Sequence, residues 1–196
     1  MTKRTALALG CGGVFLLAGF IPVHALRVVA VRSERVVLAT RVQPGDRFSY
    51  SFIHSVEHSP VEEFFEIDGS YRLWLYATTF GSMNTGLPQP NAEGERFERT
   101  PAGFRLSNMR RILPTIDIWV HEDYQNTLTI GPRRSRLPAL AGNILLHVSV
   151  ARVPVVQFLY WRWSLSRRPS LVTRGVDSRG KDDYGHAGEA ARPHTA

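Results

Sequence analysis

Between Phe48 and Ile67 the chain reads FSYSFIHSVEHSPVEEFFEI, and His54, Glu57, His58, Glu62, Glu63 and Glu66 fall within thirteen residues of it. Two imidazoles and a carboxylate brought together could hold a divalent metal such as zinc, with His54, His58, Glu62 and Glu63 as the ligands. One His–Glu pair could instead act as an oriented base, the carboxylate setting the tautomer. The plain alternative is a polar hairpin tip whose side chains satisfy neighbouring backbone groups. If the strand stays extended, His54, Val56 and His58 share one face and Ser55, Glu57 and Ser59 the other. Ser59-Pro60 then turns the chain back and brings Glu62 or Glu63 opposite the histidines. HExxH, CxxC and cysteine nucleophile patterns are absent from the sequence, so no catalytic residue is assigned. Recognition or local structure is the favoured role for the cluster.

A second segment, Thr78-Thr-Phe-Gly-Ser-Met-Asn-Thr-Gly-Leu-Pro88, spaces Gly81 and Gly86 so that backbone N–H groups could face an anion. It lacks the Lys-Ser/Thr pair of a phosphate loop and reads first as a connecting loop. Arg133, Arg134 and Arg136 form a small basic cluster, as do Arg110 and Arg111. Such clusters are usually solvated, but near a membrane they suit acidic headgroups.

The elements around these residues are strands. Runs such as Arg27–Arg32 and Arg35–Val42 are β-branched with a short connection. Pro44-Gly45-Asp46 and Asp68-Gly69-Ser70 are turn chemistry. Phe48, Tyr50 and Phe52 alternate with Ser49, Ser51 and Ile53, Val61–Ile67 returns, and Tyr71–Thr78 follows. Gly81–Gly103, with four glycines and Pro88, Pro90 and Pro101, reads as one long loop. Strands are predicted again over Ile112–Val120, Asn126–Ile130 and Ile144–Val150. Val153–Trp163 is read as a last core strand, the alternative being an interfacial segment because Tyr160, Trp161 and Trp163 suit a headgroup boundary. The expected fold is all-β: an antiparallel β-sandwich or partly open barrel over residues 27–163.

The ends differ from this middle. Lys3 and Arg4 precede Thr5–Leu26, 22 residues without Asp, Glu, Lys or Arg. That length can cross a bilayer, and Val23-His24-Ala25 also has the small-residue pattern of a cleavage site. Residues 1–26 are therefore read as a signal peptide or an uncleaved signal-anchor transmembrane helix, with the N-terminus cytoplasmic and the domain exported to the periplasm. Cleavage after Ala25 would release it there; otherwise it stays on the inner membrane. Cys11 is the sole cysteine and lies within the apolar run, so no internal disulfide forms. From Ser164 to the end the chain is polar and read as a disordered tail. Of the +7 net charge, the 16 bases and 13 acids of the middle leave only +3, which with the lack of any reader motif excludes nucleic acid.

His54-Ser-Val-Glu57, Ser59-Pro60-Val61 and Glu63 resemble the signature of the bacterial family known as domain of unknown function 1850. Thr79-Phe80-Gly81 with Gly86-Leu87-Pro88 is similar to its second motif, and Leu128-Thr-Ile130 with Gly131 fits its C-terminal part. The resemblance implies an exported β-rich domain behind an N-terminal membrane segment, in the company of tripartite ATP-independent periplasmic transporters. It implies no reaction and no cofactor. Its partners would be the membrane subunit or the solute receptor of such a transporter. His54, Ser55, Glu57, Pro60, Glu63, Gly81, Gly86 and Pro88 are the candidate ligand- or partner-binding residues. The expected function is thus a non-enzymatic, membrane-anchored accessory of solute transport, with the divalent-metal hairpin as the alternative.

Overall fold

Alternation at period two is realised wherever it was strong. The computed structural model describes residues 19–82 and 93–167. The strands are β1 (Pro22–Ala30), β2 (Arg35–Arg41), β3 (Arg47–Ile53), β4 (Pro60–Ile67), β5 (Leu73–Phe80), β6 (Arg96–Thr100), β7 (Gly103–Leu113), β8 (Thr115–Trp119), β9 (Thr127–Ile130), β10 (Arg133–Arg136) and β11 (Leu145–Pro154). Two helices, α1 (Leu137–Ala141) and α2 (Val155–Ser166), complete them. All strand pairs are antiparallel, in a four-stranded sheet ordered β2-β1-β11-β8 and a seven-stranded sheet ordered β10-β9-β3-β4-β5-β7-β6. The fold is an all-β sandwich and not a closed barrel.

The core follows from the pleat. Leu26, Val28, Ile118, Leu146 and Val148 of the smaller sheet cluster with Phe48, Val61, Phe65, Leu73, Leu106 and Met109 of the larger one. β1 is buried on both faces: Leu26 faces the larger sheet, while Ala25 and Val23 pack under α2 with Trp161. Such a two-sided strand reads as a continuous apolar run. For that reason its first half reads in the sequence as part of the apolar leader. Pro22–Leu26 are instead strand residues, with Pro22 opposite Pro154 and Ala25 opposite Ala151. Neither proline can donate to a ladder, so the sheet stops at that rung.

Three further expectations change, and the exposed Arg133–Arg136 cluster gains a place in the fold. Ile112–Val120 is not one strand: the chain leaves the larger sheet after Leu113, passes Pro114 and enters the smaller one as β8. The long loop contains β6, which pairs with the first half of β7 as a hairpin. The Arg133–Arg136 cluster is an edge strand, where charge guards the unpaired backbone. Val153–Trp163 is the end of β11 followed by a helix. Pro154, with φ −57°, ends the strand and leads into α2, and burial of one helical stripe outweighs the β preference of its Val and aromatic residues. Residues 1–18, 83–92 and 168–196, which include Cys11, Gly86, Pro88 and most of the expected tail, lie outside the described residues. Among the described residues no helix is long and apolar enough to cross a membrane.

Candidate functional site: a polar cavity beneath the His54 hairpin

The β3–β4 connection is not extended. The His54 N–H donates to the Ser59 carbonyl at 2.9 Å and the His58 N–H to the His54 carbonyl at 2.9 Å, closing a compact turn. His58 sits at φ 49°, in the left-handed region. His54 Nδ1 accepts from the Val56 and Glu57 backbone N–H groups at 3.3 and 3.2 Å. A neutral ring used in this way carries its proton on Nε2. The tip also fastens to the second sequence motif. Ser82 Oγ donates to Glu57 Oε2 at 2.8 Å, and a Cβ on Gly81 would stand 2.9 Å from Ser59 Cβ. Gly81 is therefore required for close approach to Ser59.

Glu62 and Glu63 are neighbours on β4 and point to opposite faces. Glu62 pairs across strands with Ser51 and Thr79, whereas Glu63 lies between Tyr50 and Thr78. The proposed metal set therefore does not assemble: one carboxylate is always turned away, and His54 Nδ1 is occupied by backbone donors. Among the described residues no three His, Cys, Asp or Glu side chains come together to hold a metal ion.

Glu63 instead occupies the inward row Val61, Glu63, Phe65, Ile67, an acid where the pleat calls for an apolar residue. Around it the core becomes polar. Tyr50, Thr78, Asn126 and Glu63 line a cavity of about 320 Å³, with Phe52, Val61, His54, Trp119 and Tyr124 also on its wall. Asn126 is buried and ties the loop after β8 to β3. Its Nδ2 donates to Tyr50 Oη at 2.7 Å and its Oδ1 accepts from the His121 N–H at 3.0 Å. Accepting that bond leaves the phenol one O–H to donate. Thr78 is fully buried, and its Oγ1 has no hydrogen-bond partner.

Burial raises the Glu63 carboxyl above its ordinary value of 4.5, and the Arg111 guanidinium partly offsets this. Arg111 itself bridges Glu95 at 3.3 Å, an acid whose side chain is only 2% exposed. Burial likewise raises the Tyr50 phenol, with the Asn126 hydrogen bond acting against it. A carboxyl raised on folding stabilises the fold fully below its unfolded value and loses that contribution as pH rises through its folded one. Glu63→Gln is therefore expected to close or reverse its stability gap to the natural protein as pH rises above 4.5. Urea melts of both proteins at pH 4 and pH 8 read this out, and a pH-independent gap would contradict it.

A larger recess of about 630 Å³ involves the Ser51–Glu62–Thr79 row, with Arg134 at its wall. Those polar groups are half-exposed or exposed, so solvent can reach them and the recess lacks the buried unpartnered hydroxyl of the cavity. Of the residues singled out by sequence, His54, Ser55 and Glu63 border the cavity, Pro60 borders the larger recess, and Glu57 and Gly81 hold the hairpin in place. Tyr50, Thr78 and Asn126 were missed. The available signal was Glu63 breaking an otherwise apolar inward row.

Residues 48–137 match the model of a family described as a domain of unknown function (DUF1850). The match supports the resemblance carried by the two motifs. It runs from β3 to the first residue of α1 and takes in the hairpin, Glu63, Thr78 and Asn126, while β1, β2 and β11 lie outside it. Comparison with curated proteins and with solved structures gives no match.

Proposed function

We propose that this chain is a membrane-anchored, non-enzymatic accessory protein of the periplasm. It works beside a solute transporter or its receptor and holds a small polar ligand in the cavity beneath the His54 hairpin. The observation that carries the ligand reading is Thr78, fully buried with its Oγ1 unpartnered, a residue of the same cavity wall as Glu63. Leaving such a hydroxyl unpaired costs about 1–3 kcal/mol, which a bound ligand would offset. The chemistry offered is the Glu63 carboxyl, the Asn126 carboxamide, the His54 imidazole and the hydroxyls of Tyr50, Ser55, Thr78 and Tyr124, against the aromatic walls of Phe52 and Trp119. It suits a compact hydroxyl- or ammonium-bearing solute that donates to Glu63 and Thr78. A role in holding rather than transforming accords with His54, whose Nδ1 is spent on the turn, and with Glu57, which is tied to Ser82.

Isothermal titration against hydroxylated and ammonium-bearing solutes tests the ligand. Binding is expected to the natural protein and to weaken by about tenfold in Thr78→Val, an isosteric change that removes one hydrogen bond worth about 1–1.5 kcal/mol. A natural protein that binds no member of either class refutes the ligand reading. Crosslinking from intact membranes tests the partner: recovery of a transporter subunit or solute receptor is expected, and recovery of neither overturns that part.

A further inference from the structure

Neither the core nor the cavity accounts for the outward face of α2. The helix packs on the outer face of the smaller sheet through Val155, Phe158, Trp161 and Leu165, which join Val23, Ala25, Ala39 and Val153 in a second apolar cluster. That spacing is one helical stripe. A surface helix of a globular protein turns polar residues the other way. Here the remaining side presents Val156, Leu159, Tyr160 and Trp163, each more than half exposed. α2 contains no acidic residue, and its one charge is Arg162. Just beyond its end, the Arg167 guanidinium lies 4.2 Å from the Trp163 ring centroid. The helix is thus largely apolar on both sides, its polar groups being phenol, indole and guanidinium tips, the exposed Gln157 carboxamide and the Ser164 and Ser166 hydroxyls near its end.

The second observation is where the N-terminal chain joins. Val155 N–H donates to the Ile21 carbonyl at 2.9 Å and Val156 N–H to the Gly19 carbonyl at 3.0 Å. Phe20 and Ile21 are exposed, 69% and 58%. The sequence preceding Gly19 is free of charged residues back to Thr5. The most apolar part of the chain therefore meets the fold at the first turn of the helix whose outer face is apolar, so both would contact the same medium.

We infer that α2 is an interfacial helix that lies on a lipid bilayer. Leu159, Tyr160 and Trp163 enter the boundary between headgroups and acyl chains, and Arg162 and Arg167 meet anionic headgroups. Tyr and Trp, with an apolar body and a polar tip, are the residues this boundary favours, and arginines add attraction to acidic lipid. A second copy is a poorer occupant. A helix of 12 residues is about 18 Å long, and one such stripe falls short of the roughly 800 Å² per partner of a stable interface. The inference goes beyond a tether: it sets the sandwich with the outer face of its smaller sheet towards the membrane.

The test uses the full chain in a Cys11→Ser background, reconstituted in vesicles of phosphatidylethanolamine and phosphatidylglycerol. Spin labels are placed by Leu159→Cys, by Val156→Cys and, for reference, by Val56→Cys at the exposed hairpin tip. All three sites are solvent-facing in the fold, and thermal melts confirm that each variant is folded. The labels on α2 are expected to show several-fold less collision with a water-soluble nickel chelate than the Val56 label, and more with oxygen. Equal nickel access at all three sites overturns the inference. So does dipolar broadening between labels at Leu159, which would place a second copy on the helix instead of lipid. Because the cavity plays no part in this readout, failure here leaves the ligand reading untouched.

Discussion

A chain that begins at Leu26 is expected not to fold, whereas one that begins at Gly19 is expected to unfold cooperatively like the full domain. The four residues Pro22–Ala25 supply the end of the β1–β11 ladder, and the His24 carbonyl accepts from the Val42 N–H at 3.0 Å. The His24 ring also stacks on Tyr71 at 3.4 Å between centroids, linking β1 to the β4–β5 turn. Val23 and Ala25 form the floor beneath Trp161. Burial of one Val is worth about 1.5–3 kcal/mol and each ladder bond about 0.5–1.5. Together the loss is about 5 kcal/mol or more, comparable with the whole stability of many domains. Far-UV circular dichroism and urea melts of the two truncations decide it; a stable, cooperative fold from Leu26 would contradict the assignment. A leader cut after Ala25 would produce the shorter chain. The prediction therefore favours retention of Val23-His24-Ala25 in the folded domain.

Gly103→Val is expected to cost about 3 kcal/mol or more, from a φ of +131° and from direct collision. A Cβ at this position would run into the Phe80 carbonyl and the Gly81 Cα, where the β6–β7 turn crosses the end of β5. Gly45→Ala separates the two causes. Gly45 also has a positive φ, +89°, but an added Cβ meets nothing within 4 Å. Its cost should therefore be only the backbone term, about 1 kcal/mol. Urea midpoints of the two variants measure the difference, and equal costs would remove the crowding account. Because Gly81 in turn abuts Ser59, the three segments at Ser59, Gly81 and Gly103 hold the hairpin over the cavity as a single stack.

The sandwich was legible where alternation was unbroken and turns were marked by Pro, Gly or Asp. Phe48, Tyr50 and Phe52 on β3 and the row Val61, Phe65 and Ile67 on β4 face inward as their spacing requires. Legibility failed where tertiary burial overrode local preference. β1 resembles a leader because it is covered on both faces, and α2 resembles a strand because Val and aromatic residues fill it. The hairpin acids were conspicuous in the sequence, yet most of them serve the turn or the surface. The cavity is built from residues 50, 63, 78 and 126, brought side by side only by strand pairing and by the switch between sheets at Pro114. No linear spacing connects Asn126 to Tyr50, 76 residues earlier.

The neighbouring of the first and last strands has a kinetic side. Val23 pairs with Val153 and Ala30 with Leu146, so the smaller sheet closes only across most of the described chain. Until β11 arrives, β1 has only β2 beside it, and β8 has no partner in that sheet. Closing pairs so far apart in sequence costs loop entropy before any contact rewards it, and domains of this kind fold in milliseconds to seconds. During that interval the apolar edge of β1 stays open, next to the most apolar stretch of the sequence. A folding chain of this design is most exposed to mispairing before Leu145–Pro154 has been delivered, and the last strand to emerge is the one that seals the first.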